Sequence, residues 1–119
     1  MDKWRAQQTY WESFGLTTYD ENTVPDDAVM PYITYQAVNG SLGGVHSVSA
    51  SLWYRGNSWL PISQKQTEMS KIMNRQIKID GGYMKVRKPD INEAQRMEDP
   101  NDSQVRRMLL NVEIEFLSE

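Results

Sequence analysis

The stretch from 105 to 117 constrains this chain more than any other. Met108, Leu110, Val112, Ile114 and Phe116 alternate there with Arg107, Asn111, Glu113 and Glu115. A period of two puts the first set on one face of a strand and the second set on the other. At ~3.3 Å per residue the strand reaches about 40 Å, long enough to project beyond its own sheet. Its apolar face, with Phe116 included, is expected to be buried.

A second run repeats the pattern. Between 45 and 55, His46, Val48, Ala50, Leu52 and Tyr54 share one side, and Ser47, Ser49, Ser51, Trp53 and Arg55 share the other. This is again a half-buried strand. His46 opens its apolar side and reads as a structural or rim histidine with its polar atoms satisfied. Ile77 to Arg87 holds two short alternating runs around Asp80-Gly81-Gly82, a hairpin signal, because Asp and Gly tolerate the positive φ of a tight turn. Residues 32–38 are rich in β-formers and read as a fourth site of strand structure.

Two segments have helical spacing instead. Over 2–14, Trp4, Gln7, Trp11 and Phe14 form a stripe with Tyr10 beside it. Asp2 suits the N-cap, Gly15 the left-handed position after the helix, and Leu16 the apolar contact that accompanies it. An aromatic stripe of this kind is a docking face onto a core or a neighbouring chain. Over 61–76, Ile62, Met69, Ile72 and Met73 form the stripe, with Pro61 at the entry, Ser63 and Gln66 as a capping box, and a weak Glu68–Lys71 surface pair. Residues 17–31, with Pro25 and Pro31, read as a loop. So do 39–44 and the long polar stretch 88–103, with Pro89 and Pro100. The resulting order is α-β-β-α-β-β-β: a two-layer α+β domain with two helices on a mostly antiparallel sheet, one domain over residues 1–119.

Composition narrows the chemistry. Val, Ile, Leu and Phe make up about 20% of the chain, the level at which folding becomes marginal, but four Trp, six Tyr and seven Met restore the apolar volume. Cysteine is absent and His46 is the only histidine, so disulfides, thiol catalysis and multi-histidine metal sites are ruled out. Asn39 to Gly44 is glycine-rich but lacks a P-loop lysine and opens no helix. Asp26-Asp27 and Glu98-Asp99 are adjacent loop acids. Paired acids divide acid and base roles only where their surroundings split their pKa values. Asp90, Glu93, Asp99 and Asp102 do not follow EF-hand spacing. The expectation is no catalytic residue, no cofactor and no metal. No apolar run approaches the length of a membrane span, and Met1-Asp2-Lys3-Trp4 lacks the regions of a signal peptide, so an intracellular soluble protein is expected.

Charge is segregated along the chain. Residues 1–30 carry a net −4, residues 31–64 only Arg55, residues 65–88 a net +5 and residues 89–119 a net −5, within an overall −3. Such a pattern fits a solvated surface, a nucleic-acid patch or self-association. In the last, the basic segment of one copy faces an acidic segment of the next. Complementary patches on different faces give head-to-tail contacts, and those close into rings.

Three segments together resemble a known family. They are Pro31-Tyr32-Ile33-Thr34-Tyr35-Gln36; Ser51-Leu52-Trp53-Tyr54-Arg55 with Ser58-Trp59; and Gln95-Arg96-Met97-Glu98-Asp99 running through Arg106-Arg107 to Asn111-Val112-Glu113-Ile114-Glu115-Phe116. In order and spacing they are similar to the tail-completion, or tail-terminator, proteins of long-tailed bacteriophages, over most of residues 11–119. Glu93 departs from the pattern, where an aromatic or apolar residue is expected before Ala94-Gln95-Arg96. The resemblance implies an α+β subunit of a homohexameric ring at the head-proximal end of the tail tube. It implies the tail tube protein and the head or neck connector protein as partners. It also implies genome DNA that passes through without tight binding, no membrane, and a place in the virion after assembly in the host cytoplasm. Trp4, Trp11, Trp53, Lys71, Arg75, Arg96, Arg107, Glu113 and Glu115 are the candidates for subunit or partner contacts, with Glu113 and Glu115 at a contact or facing the channel. The competing reading is a small binding module that holds a nucleic acid or a peptide on its basic 65–88 segment. It would bind polyanions with steep salt dependence.

Overall fold

The computed structural model describes residues 1–41 and 43–119. Leu42, in the predicted 39–44 connection, lies outside the described residues. The chain is an α+β fold of two helices and one curled, mixed, seven-stranded sheet. Its elements are α1 (Lys3–Glu12), β1 (Thr17–Asp20), β2 (Tyr32–Tyr35), β3 (Val45–Arg55), α2 (Leu60–Ser70), β4 (Arg75–Ile79), β5 (Gly82–Arg87), β6 (Ala94–Glu98) and β7 (Val105–Ser118). The strand order is β1-β2-β3-β7-β5-β4, with β6 also paired to β7.

The strand β7 is the spine. All eleven residues of β3 pair with it, from Val45↔Glu115 to Arg55↔Val105. Its other edge is shared by two short strands laid end to end. β5 takes Glu113 to Ser118, and β6 takes Arg106 to Leu110. Between them the Asn111 N–H donates to the Glu93 carbonyl at 3.0 Å. A buried strand cannot leave its backbone groups unpaired. That requirement accounts for β6, which falls inside the stretch predicted as a polar loop. It also corrects the expectation that β7 projects beyond its sheet, because both edges of β7 are paired.

The alternation of β7 and β3 is realised as predicted. Val48, Ala50 and Leu52 lie opposite Val112, Leu110 and Met108. These residues are buried together with Ile114 and Phe116 in a single core cluster. Ile33 and Tyr35 of β2 and Met84 and Val86 of β5 extend the same face. A further strand, β1, was not predicted. It is four residues long, mostly polar and parallel to β2. A parallel pair cannot be joined by a tight turn, so residues 21–31 form a crossover rather than part of one continuous loop with 17–20.

The first helix closes the curl. It packs against both β1 and β4, the two ends of the strand order. Asp2 caps it, its carboxylate accepting from the Arg5 N–H at 2.7 Å, and Gly15 takes a φ of 87° just beyond its end. Tyr10, Trp11 and Phe14 are buried in edge-on and tilted contact. Two glutamines tie the helix to β1, β2 and the segment that follows β2. The fully buried Gln7 amide accepts from the Val38 N–H at 2.8 Å and donates to the Val38 carbonyl at 2.7 Å, as a neighbouring strand would. Gln8 donates to the Thr18 carbonyl and accepts from the Tyr35 hydroxyl at 2.6 Å.

The second helix is shorter than the predicted 61–76. It ends at Ser70, and the chain turns through Lys71 and Ile72 so that Arg75 can pair with Val86. Met73 is buried by that turn, whereas Ile72 is left 43% exposed. The capping box does not form. The N-cap is Trp59, and the Ser58 hydroxyl accepts from the Leu60 N–H instead. Ser63 and Gln66 serve another purpose, meeting Arg96 and Glu93 and so holding α2 to the β6 segment. The surface pair joins Lys65 to Glu68, not Glu68 to Lys71.

Tyr10 makes stability depend on alkaline pH. Burial pushes its phenol well above the usual value, with the nearby Arg75 guanidinium partly offsetting this. Its hydroxyl donates to the Met73 carbonyl at 2.7 Å. Below pH about 10 the phenol is protonated in both folded and unfolded chains. Above that, the unfolded chain loses a proton that the folded chain keeps, so stability falls as pH rises, by up to about 1.4 kcal/mol per pH unit for this group. Urea unfolding between pH 9 and 11 should show a shallower decline for Tyr10→Phe than for the natural chain. An unchanged slope would remove Tyr10 as its source.

Candidate subunit interface

The face of the sheet turned away from the core carries a ladder of aromatic side chains. Tyr19 on β1, Tyr32 on β2 and Trp53 on β3 succeed one another, with ring centroids 5.6 and 6.2 Å apart. The register places Arg107 beside Trp53 and Met97 beside Arg107. The Arg107 guanidinium lies 4.8 Å from the Trp53 ring centroid, a cation–π distance, and its Nε donates to the Ser51 hydroxyl at 3.0 Å. The Trp53 indole N–H donates to the Thr34 hydroxyl at 2.9 Å. The polar ends of Trp53 and Arg107 are thus each held by the neighbouring strand, and Tyr19, Tyr32 and Trp53 form a half-buried surface.

The same face changes character toward the β5 end. Arg87 pairs with Glu113 at 3.0 Å, and Glu115 sits in register between Val45 and Lys85. The predicted candidates therefore divide. Trp53 and Arg107 come together in the ladder, and Glu113 and Glu115 belong to the charged end. Arg96 is exposed on β6, 5.0 Å from the Trp59 ring centroid, on the side of the sheet that carries α2. Lys71 is exposed just past α2, and Arg75 is half-buried against the Phe14 ring. Trp4 is 52% exposed on α1. Trp11 is corrected: at 0% exposure it belongs to the core and cannot meet a partner. Its place on the helical stripe gave no way to separate the inward tryptophan from the outward one. That depends on how α1 seats across the curl.

Sequence reasoning missed Tyr19 and Tyr32 as members of this surface. Their signal was weak. Tyr32 opened a predicted strand, but the ladder needs β1, whose polar four-residue run carries no periodicity. His46 also differs from expectation. It is half-buried between Phe116, 6.1 Å away, and Gly40, yet its Nε2 has no hydrogen-bond partner among the described residues.

Other clusters resolve into structural roles. A cleft of about 290 Å³ is lined by Trp59, Glu98, Asp99, Asp102, Ser103, Val105 and Arg106. Two of its three acids are engaged in turn geometry. Asp99 accepts from the Asn101 N–H, and Asp102 accepts from the Gln104 N–H and the Arg55 guanidinium. Those two bonds, the backbone one first, hold the Asp102 carboxyl below its usual range. Among the described residues, no group of three or more His, Cys, Asp or Glu could hold a metal ion. No described helix is long and apolar enough to cross a membrane.

Comparison with protein-family models, curated proteins and solved structures gives no match.

Much of the chain's charge is left outside ion pairs, on the acidic and basic segments among others. Among the described residues, ion pairs join Met1 to Asp80, Arg55 to Asp102, Lys65 to Glu68, Lys78 to Glu119 and Arg87 to Glu113. Glu12, Glu21, Asp26 and Asp27, at or near β1, enter none of them. Neither do Lys71, Arg75, Lys85 and Lys88, at or near the β4–β5 hairpin. The acidic and basic segments seen in the sequence thus leave most of their charge unneutralised within the chain.

Proposed function

We propose that this protein is a structural virion protein. It assembles into a homohexameric ring at the head-proximal end of a long phage tail, ends polymerisation of the tail tube and joins the tail to the head or neck. The observation that carries the reading is the unpaired charge, acidic beside β1 and basic on the β4–β5 hairpin. Two complementary patches on different parts of one subunit produce head-to-tail association, which closes into a ring when the rotation per subunit allows. The ordered resemblance of residues 31–36, 51–59 and 95–116 to tail-terminator proteins supplies the place of that ring in a virion. The tail tube protein and a head or neck connector protein are then its partners, and the half-buried aromatic face offers a surface for one of them. DNA passes through the ring without tight binding, because strong phosphate contacts by Lys and Arg would hold the genome back.

Light scattering during size exclusion tests the reading. The expected result is a species of six 13.8 kDa chains, seen as rings by negative-stain electron microscopy and loosened by high salt. Duplex DNA should bind more weakly than micromolar at physiological salt. A monomer at all concentrations that binds duplex DNA below micromolar, with steep salt dependence, would replace this reading with a polyanion-binding module on the basic 65–88 segment.

A further inference from the structure

The crossover at 21–31 and a groove on the β4–β5 hairpin complement each other in both polarity and charge. The groove has a volume of about 410 Å³ and is lined by Asn74, Arg75, Gln76, Lys85, Val86 and Arg87. Val86 is buried, so the side-chain stems of Arg75, Gln76, Lys85 and Arg87 supply the apolar lining, with Arg75 on the core side of the hairpin and Lys85 and Arg87 on the other. Arg75 is positioned by the Phe14 ring and Arg87 by Glu113, while Lys85, opposite Glu115 in the strand register, enters no ion pair among the described residues.

The crossover has the inverse arrangement. The Ala28 N–H donates to the Pro25 carbonyl at 3.1 Å, closing a turn over Pro25 to Ala28. Val29 follows that turn with 80% of its surface exposed, and Asp26 and Asp27 are exposed on the turn itself. An apolar tip beside two carboxylates thus matches a groove walled by side-chain stems, two of whose cations, Arg75 and Lys85, enter no ion pair among the described residues. The turn and the groove belong to opposite ends of the strand order, α1 packs against the strands at both ends, and no hydrogen bond or ion pair joins residues 20–31 to residues 74–88 among the described residues.

We propose that the Val29 turn of one copy seats in the β4–β5 groove of the next. The proposal rests on the self-association reading above and names its contact. Each copy uses its turn once and its groove once, so the contact is heterologous and propagates around a ring.

The natural absence of cysteine makes the test clean. A chain carrying Val29→Cys and Gln76→Cys, oxidised as the assembled multimer, should give a ladder of disulfide-linked species on non-reducing gels. Each single variant should remain monomeric there, and a mixture of the two single variants should give dimers only. A second pair, Asp27→Cys with Lys85→Cys, should behave in the same way. Charge exchange adds an independent measurement. Asp27→Lys and Lys85→Glu should each weaken association roughly two- to fivefold, the range for one exposed ion pair, and the chain carrying both should recover. Circular dichroism checks that these exposed substitutions leave the fold intact. Multimers that crosslink through neither pair overturn this contact and leave the ring reading standing. Efficient crosslinking of Val29→Cys to itself overturns it too, in favour of a two-fold contact. A chain that is monomeric at every concentration overturns both the contact and the ring.

Discussion

Replacing Phe116 by alanine should lower the free energy of unfolding by about 3–5 kcal/mol, the range for emptying an enclosed aromatic site. Phe116 is 0% exposed near the end of β7, opposite Met84 on β5. Its surroundings cannot easily collapse into the vacated space. The Lys3 ammonium lies 4.9 Å from its ring centroid, His46 packs beside it, and its own carbonyl accepts from the Gly43 N–H. Losing the ring therefore also withdraws the surface on which Lys3, at the start of α1, is laid. Urea unfolding followed by circular dichroism would measure the loss as a lower midpoint at unchanged slope. A loss below about 1 kcal/mol would mean that the site collapses freely and the β7 end is not rigid.

Replacing Gly82 by alanine should be nearly as damaging, by about 2–3 kcal/mol, the upper part of the range for overpacking a buried site. Gly82 opens β5 opposite Ser118, and a Cβ there would overlap the Leu117 carbonyl oxygen, far inside the 3.0 Å that real Cβ contacts keep. The obstructing atom is backbone, so relief requires β5 and β7 to part. Its neighbour Gly81 provides the control. It has a φ of 78° with nothing within 4 Å of the added carbon, so Gly81→Ala meets only the left-handed backbone penalty of roughly 1–2 kcal/mol. If Gly81→Ala proved the worse of the two, close packing of β5 on β7 would not be what selects glycine at 82.

Both substitutions concern elements that are legible in the sequence. The alternation at 105–117 and 45–55, the Asp80-Gly81 turn and the Asp2 cap are local patterns, each set by residues within a few positions of one another. For that reason the two longest strands, their facing and the hairpin could be read directly. The candidate interface was legible only in part. The segregation of charge could be counted along the chain, but not which charges would stay unpaired, because Arg87 finds Glu113 and Lys78 finds Glu119 only across strands.

The sequence by itself determined the α+β class, the buried faces of β3 and β7, and a basic segment between two acidic ones, since periodicity and charge are properties of the chain. Tertiary structure decided the rest. It made a strand of residues 94–98, because the free edge of β7 needed backbone partners there. It made a strand of 17–20 at the edge that α1 meets, and stopped α2 at Ser70 so that Arg75 could enter the sheet. It also sent Trp11 inward and left Trp4 half-exposed on the same helix. In each case the deciding force was a backbone group that needed a partner or an apolar ring that needed cover, and the residue that supplied it lay far away in sequence.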